Sequence, residues 1–117
     1  MERFLVLNID GKVINQSKLI ENALVDTPFF WLLECELESV NIEIKDGILT
    51  WINGIFYWGH WQWGIWKNGE FRSGEWIGGV HYDGMFKGIW KRGVWKGGQF
   101  KGTDLTNSIV KSANVSV

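Results

Sequence analysis

Proline and cysteine occur once each in this chain of 117 residues, as Pro28 and Cys35, and histidine only twice, as His60 and His81. A single thiol excludes an intrachain disulfide framework, and no cluster of ligands around it makes it a metal site. Cys35 therefore reads as a small buried hydrophobe. No apolar run approaches the length of a transmembrane span, and the N-terminus lacks a basic-then-apolar signal pattern. The expectation is a soluble protein used without secretion. A net charge of −1 implies no global pull toward nucleic acid or an anionic membrane.

The residues of catalysis are equally sparse. No Ser or Cys stands in a nucleophile-elbow context, and no spacing suits zinc or calcium. Gly78-Gly79 reads as a turn, because no helix is in evidence after it to complete a phosphate loop. Glu34, Glu36, Glu38 and Glu43 alternate along strand-like stretches and read as a wet face rather than a catalytic pair. His81 falls in an aromatic position and reads as a substitute ring; His60 reads as solvated. The expectation is no enzyme, with no catalytic, cofactor-binding or metal-binding residues.

What the chain does have is aromatic side chains and glycine. Eight of its nine Trp and 13 of its 15 Gly fall in residues 49–102, a concentration far from a globular average. Charge is divided as well. Residues 1–50 carry four basic and nine acidic side chains, for −5, and residues 51–102 carry seven and three, for +4. An acidic front and a basic back suit packing of one on the other, or head-to-tail association of subunits.

In residues 1–48, Phe4-Leu5-Val6-Leu7-Asn8 predicts a strand, Asp10-Gly11 a tight turn and Lys12-Val13-Ile14 its return. Ser17 to Leu24 suits a short helix. Thr27-Pro28 offers an N-cap and first-turn proline, but Leu33 to Glu38 alternates apolar with acidic, as Val40 to Lys45 alternates apolar with polar. Period two marks a half-buried strand, so strands are expected across both. Asp46-Gly47 turns the chain into the repeat.

Glycines recur every five residues from Gly54 to Gly84 and, after one missing residue, at Gly88, Gly93 and Gly98. Two positions after each comes a ring: Phe56, Trp61, Trp66, Phe71, Trp76, His81, Phe86, Trp90, Trp95 and Phe100, with Trp51 one unit earlier. Such periodicity outranks local signals. Glycine without one Ala points to positive φ, and Asn53-Gly54, Asn68-Gly69 and Asp83-Gly84 are hairpin dipeptides. Two-residue loops there would set Lys67 opposite Glu70 and Arg72 opposite Glu75, pairings worth about 0.2–1 kcal/mol each. This favours a narrow meander of short strands with the rings on one face. The alternative is a four-sided β-solenoid of the pentapeptide-repeat type, with rings inward and every fourth unit stacked. That arrangement would stack Arg72 under Lys91, and smallness alone would not demand glycine over alanine. In either geometry the strip of rings needs cover, from the apolar faces of Leu33-Cys35-Leu37 and Val40-Ile42-Ile44 or from a second subunit. A bend or cap is expected near His81 and the missing residue.

Three aromatics fall off register: Tyr57, Trp58 and Trp63. They read as local packing, or as an exposed surface for a partner protein or a sugar face. Lys87, Lys91, Arg92, Lys96 and Lys101 interleave with rings as in a platform for single-stranded nucleic acid, or as a membrane-surface patch; the rings are better explained as core, so nucleic acid ranks low. Residues 103–117 carry no repeat, and Ser108-Ile109-Val110 or Ala113 to Val117 could add an edge strand in cis or to a neighbour.

The stretch from Trp61 to Trp76, with Trp66-Lys67-Asn68-Gly69 at its centre, resembles the Trp-x-x-Gly tandem arrays of uncharacterised proteins in tailed bacteriophages and other large viruses. The resemblance covers residues 49–102, under half the chain. Tyr82-Asp83-Gly84-Met85-Phe86 and Trp66-Lys67-Asn68-Gly69 are also similar to fragments of the MORN repeat, a β-hairpin family whose units are several times longer. The resemblance implies a virion or host-cytoplasm location and a viral structural role. The sequence thus yields an all-β chain: an N-terminal β-rich cap in residues 1–48, a repeat array in 49–102 and a tail in 103–117. Its expected role is a non-enzymatic assembly protein, a virion-associated spacer or docking component that binds a protein partner or itself. A glycan- or ligand-binding module using Tyr57, Trp58 and Trp63 is the alternative.

Overall fold

The computed structural model describes residues 2–111, with side chains to Ile109. The chain is all-β apart from three short helical segments. Its first strands are β1 (Phe4–Ile9) and β2 (Lys12–Ile14), followed by helix α1 (Ser17–Val25), a 3-10 helix (Phe30–Glu34), β3 (Glu36–Lys45) and β4 (Ile48–Trp58). Ten two-residue strands then follow: β5 (His60–Trp61), β6 (Ile65–Trp66), β7 (Glu70–Phe71), β8 (Glu75–Trp76), β9 (Val80–His81), β10 (Met85–Phe86), β11 (Ile89–Trp90), β12 (Val94–Trp95), β13 (Gln99–Phe100) and β14 (Thr103–Asp104). Helix α2 (Ser108–Lys111) comes last. Ser108 to Val110 is therefore helix rather than an edge strand, and Ala113 to Val117 lies outside the described residues.

The repeat is a β-solenoid, not the meander of hairpins. Its short strands pair in parallel with strands one turn away: Thr50 with Ile65, Ile65 with Val80, and Val80 with Val94. Ile55, Glu70, Met85 and Gln99 form a second column, and His60, Glu75, Ile89 and Thr103 a third. The offset from Thr50 to Ile65 is 15 residues, so every third pentad stacks and the coil has three sides rather than four. The residue after each ring donates its N–H to the ring residue one coil below, as Lys67 to Trp51 and Arg72 to Phe56; the residue after each glycine does the same to a glycine carbonyl, as Val80 to Gly64. These bonds measure 2.7–3.0 Å. Hairpin pairing satisfies backbone groups only between neighbours in sequence. The coil satisfies them along its whole length and also wraps the rings inside, which a one-layer ribbon cannot do.

Each ring column is a stack. Trp51, Trp66, His81 and Trp95 lie face to face at centroid spacings of 4.5, 6.0 and 4.2 Å. Phe56, Phe71, Phe86 and Phe100 do so at 4.3, 4.7 and 5.4 Å, and Trp61, Trp76 and Trp90 at 5.1 and 4.9 Å. Between columns the rings meet edge to face, as Trp66 meets Phe71 and Trp76, the other arrangement that ring quadrupoles favour. All these rings are buried except Trp95, which is half-buried at the last coil.

The glycines stack too, and here the solenoid does demand glycine over alanine. A Cβ on Gly79 would lie 2.2 Å from the Gly64 carbonyl oxygen, and one on Gly74 would lie 2.2 Å from that of Gly59. Gly79 also has φ +106°, which an L side chain rarely adopts. Asn53, Asn68 and Asp83 do not take the left-handed conformation of a type I′ turn. Instead each side-chain Oδ1 accepts the N–H of the following glycine, a column of corner hydrogen bonds. The type I′ dipeptides are Asp10-Gly11 and Asp46-Gly47, with φ of 47° and 89°, and 52° and 76°; they join β1 to β2 and β3 to β4 as the sequence predicts.

The missing residue neither caps nor interrupts the array. Ile89 pairs with Glu75 at an offset of 14, and the corner from Phe86 to Ile89 has shrunk to Lys87-Gly88. The corner directly above, Lys101-Gly102, is shortened in the same way, and Gly88 and Gly102 are the two repeat glycines without positive φ.

Residues 2–48 extend the solenoid lengthwise rather than covering one of its faces. β3 runs antiparallel along the free edge of β4, β1 lies parallel to β3, and β2 antiparallel to β1. β4 bends at Gly54, where a Cβ would lie 2.8 Å from Val40 Cα. β3 follows it by a bulge at Ser39, φ 56°. The bulge shifts the buried parity from Leu37 to Val40, Ile42 and Ile44. The expected strand at Leu33 is instead the end of the 3-10 helix, where Phe29, Leu32 and Cys35, three apart, point inward. Thr27 Oγ1 accepts the Phe29 N–H, and Arg3 donates to the carbonyls of Leu32, Leu33 and Cys35 at 3.3, 2.7 and 3.0 Å. These bonds stabilise the helical turn over the alternating pattern. Trp31 meets Trp61 edge-on at 5.3 Å and closes the third column from below.

Two expected outcomes follow from this packing. Gly79→Ala combines a steric overlap with a left-handed φ, and should cost more than about 2 kcal/mol. Gly78→Ala has neither, its nearest neighbour being 3.5 Å away, and should stay within about 0.5 kcal/mol; urea melts of the pair check the contrast. His81 is fully buried, with Nδ1 3.0 Å from the Gly97 carbonyl. Burial lowers its pKa to about 4 from 6.5, partly opposed by that hydrogen bond. The imidazole stays neutral in the fold while the unfolded chain takes up a proton below pH 6.5. Stability should therefore fall as pH drops from 6.5 toward 4, by up to about 3 kcal/mol at 1.36 kcal/mol per unit. Melts of the wild type and His81→Phe across that window should show the loss in the wild type alone.

Candidate docking surface

With the rings of the ladder inside, the aromatic surface is what the corners and the cap leave outside. Corner residues sit between side and glycine, where the chain turns and a side chain has no column to join. Trp58 and Trp63 occupy the two corners that flank β5 on the first coil, and they are 53% and 50% exposed. Tyr57 is not with them. Alternation along β4 sends it to the second side, where its hydroxyl donates to Glu38 at 2.6 Å and the Arg72 guanidinium lies 5.0 Å from its ring centroid. The hydrogen bond to the Glu38 carboxylate raises the Tyr57 pKa. The three off-register aromatics thus divide into a tied Tyr57 and two free indoles.

The 3-10 helix completes the surface. A cleft of about 610 Å³ opens between Phe30, Trp31, Glu34, Gln62 and Trp63. A smaller one of about 180 Å³ lies between Trp31, Glu34, Trp58, His60 and Gln62. The two share Trp31, Glu34 and Gln62, so they adjoin as one irregular aromatic hollow lined by an exposed carboxylate and an exposed amide. Phe30 is 53% exposed. Sequence reasoning missed Phe30, Trp31 and Glu34 as members of this surface, although the run Phe29-Phe30-Trp31 sets aromatics on successive positions, and a single helical face cannot bury them all.

Cys35 lies under the smaller cleft and is buried. Its Sγ is 3.4 Å from the Trp31 carbonyl oxygen, and burial pushes the thiol up to about 11. It is a packed hydrophobe and a poor nucleophile. His60 is exposed, with Nε2 3.3 Å from a Glu75 oxygen; the other Glu75 oxygen is 3.1 Å from Lys91 Nζ. Among the described residues no group of three or more His, Cys, Asp or Glu side chains is placed to hold a metal ion, and no helix is long and apolar enough to cross a membrane.

The basic residues gather on the upper coils. Lys87, Lys91, Arg92, Lys96 and Lys101 are all exposed, while of the ring positions between them Phe86, Trp90 and Phe100 are buried and Trp95 is half-buried. The ion pairs Arg3–Glu21, Arg72–Glu70 and Lys91–Glu75 each stay within one half of the chain, so they leave the acidic front and the basic back distinct. No protein-family model, curated protein or solved structure matches this chain.

Proposed function

We propose that this chain is a non-enzymatic structural or assembly protein, a spacer or docking component whose rigid body is the solenoid. The observation that carries the reading is the disposition of its aromatics. Ten ring positions of the repeat are sealed in continuous stacks, while Phe30, Trp31, Trp58 and Trp63 line one hollow at the capped end. A sealed stack supplies stiffness, and an exposed aromatic cluster is the composition that protein interfaces favour. The resemblance of residues 49–102 to Trp-x-x-Gly arrays supports a virion as the assembly. The test is co-sedimentation from the protein's natural source. The chain should travel with a particle many times its own 13.5 kDa, and recovery only at the position of the free chain or a small oligomer would overturn the reading.

The half-exposure of Trp58 and Trp63 favours a second reading, a glycan-binding module, because indole faces take the apolar face of a sugar while Glu34 and Gln62 take its hydroxyls. Tryptophan fluorescence of the purified chain, titrated across a glycan panel, should then respond to at least one glycan. That response should vanish in the Trp58→Ala, Trp63→Ala double variant with its melting temperature preserved. A flat response in the wild type would remove this reading.

A further inference from the structure

The corner that follows the third side carries one residue type per coil just before its glycine: Trp63 on the first coil, Gly78 on the second and Arg92 on the third. The residues preceding these are Gln62, Ile77 and Lys91, and Leu105 continues that column on the fourth, donating its N–H to the Trp90 carbonyl as Lys91 does to Trp76. Below Trp63, the hollow adds Phe30 and Glu34. Read upward, this one ridge runs from an acidic, aromatic end past Ile77 and a glycine that is itself buried to a cationic turn and a leucine that is 62% exposed. Each coil adds about 4.8 Å, so Trp63 and Arg92 stand about 10 Å apart along the ridge, with Gly78 midway.

A ridge with complementary ends and a neutral middle is self-complementary when turned end for end. We infer that it is the interface of a symmetric dimer, in which a second copy packs antiparallel along this corner with the two-fold axis at Ile77 and Gly78. Rotation about that axis sets Arg92 of each copy over Trp63 of the other and within reach of Glu34, and brings Leu105 to Phe30. Arg is the residue best suited to this position, because its planar guanidinium stacks on an indole face and bonds a carboxylate together. Gly78 adds no side chain at the axis, so the half-buried Ile77 is the side chain that the two ridges share there. Charge complementarity selects the second copy as occupant: the hollow offers Glu34 beside exposed rings, and Arg92, among the described residues, has no ion-pair partner. Two-fold pairing is also the commonest closed symmetry, and it uses one patch twice. The contact deepens the assembly reading and rests on it.

Sedimentation velocity of the purified full chain should show a monomer–dimer equilibrium whose dissociation constant rises roughly tenfold or more between low and high salt, since exposed charges are screened. Arg92→Glu should abolish the dimer, and the double variant Arg92→Glu, Glu34→Arg should restore it; Lys87→Glu, on a different corner, should leave it unchanged. Ile77→Cys lies next to the axis and should form a disulfide-linked dimer on mild oxidation. A chain that stays monomeric at high concentration and low salt overturns the proposal, as does an association insensitive to Arg92→Glu. Failure to crosslink Ile77→Cys while association persists overturns it in favour of head-to-tail stacking. A monomer whose fluorescence answers to glycans assigns the hollow to a sugar instead. If the monomer still co-sediments with a large particle in its source, the symmetric contact falls and the assembly role stands; a dimer that joins no particle gives the reverse.

Discussion

The contact on which this structure depends is that of a glycine Cα against the glycine carbonyl of the coil beneath. It holds successive corners close enough for the neighbouring N–H groups to reach their acceptors at 2.7–3.0 Å. That same closeness brings most aromatic columns to ring spacings of 4.2–5.4 Å, the range in which stacked rings attract. An alanine at these corners would have to lift one coil off the next, losing backbone bonds and ring contact together. The repeat is therefore less a chain of turns than a set of vertical columns, each defined by one residue type. His81 shows the tolerance of a column: it is flat and aromatic, and it keeps its place between Trp66 and Trp95 with a pKa that burial lowers to about 4.

The two ends of the solenoid are finished differently. At the lower end β3 and β1 prolong the sheet, while Trp31 and the 3-10 helix close the third column. That arrangement also forces Phe30 outward and puts Glu34 beside Trp63, so the aromatic hollow is a by-product of capping. At the upper end Asp104 takes a ring's place, its carboxylate accepting the Ile109 N–H at 2.6 Å, and Ile109 is buried. Trp95, on the first side, keeps only partial cover.

Much of this is legible in the sequence, and some of what was missed is legible too. The hairpins at Asp10-Gly11 and Asp46-Gly47, helix α1 and every buried ring of the repeat follow from local pattern. The pentad also defines which residues point inward, because ring and glycine positions are the same in a meander and in a solenoid. What pentad spacing does not contain is the partner of each strand, since parallel pairing joins residues 14 or 15 apart and has no local signature. The third-order pattern does contain it. Phenylalanine recurs at Phe56, Phe71, Phe86 and Phe100, Asn53 and Asn68 precede Asp83 at the same interval, and the shortened corners at Gly88 and Gly102 lie one coil apart. A period of three units inside the period of five states the number of sides. The hollow was harder to see, because Phe30 and Glu34 join Trp63 only through the capping geometry. Tyr57 was misgrouped with Trp58 because adjacency in a strand means opposite faces.

The paired shortened corners also say something about how such a chain can change. A coil of 14 residues sits on a coil of 15 without disturbing the columns: the lost residue comes from a corner, and the two-residue corner Lys87-Gly88 stacks on the three-residue corner Arg72-Ser73-Gly74. Contacts run only between neighbouring coils, as in other one-dimensional repeats. The body is thus a ruler graduated in whole turns, each worth about 4.8 Å. Duplication or loss of one turn would alter its length by a single graduation and leave both ends as they are.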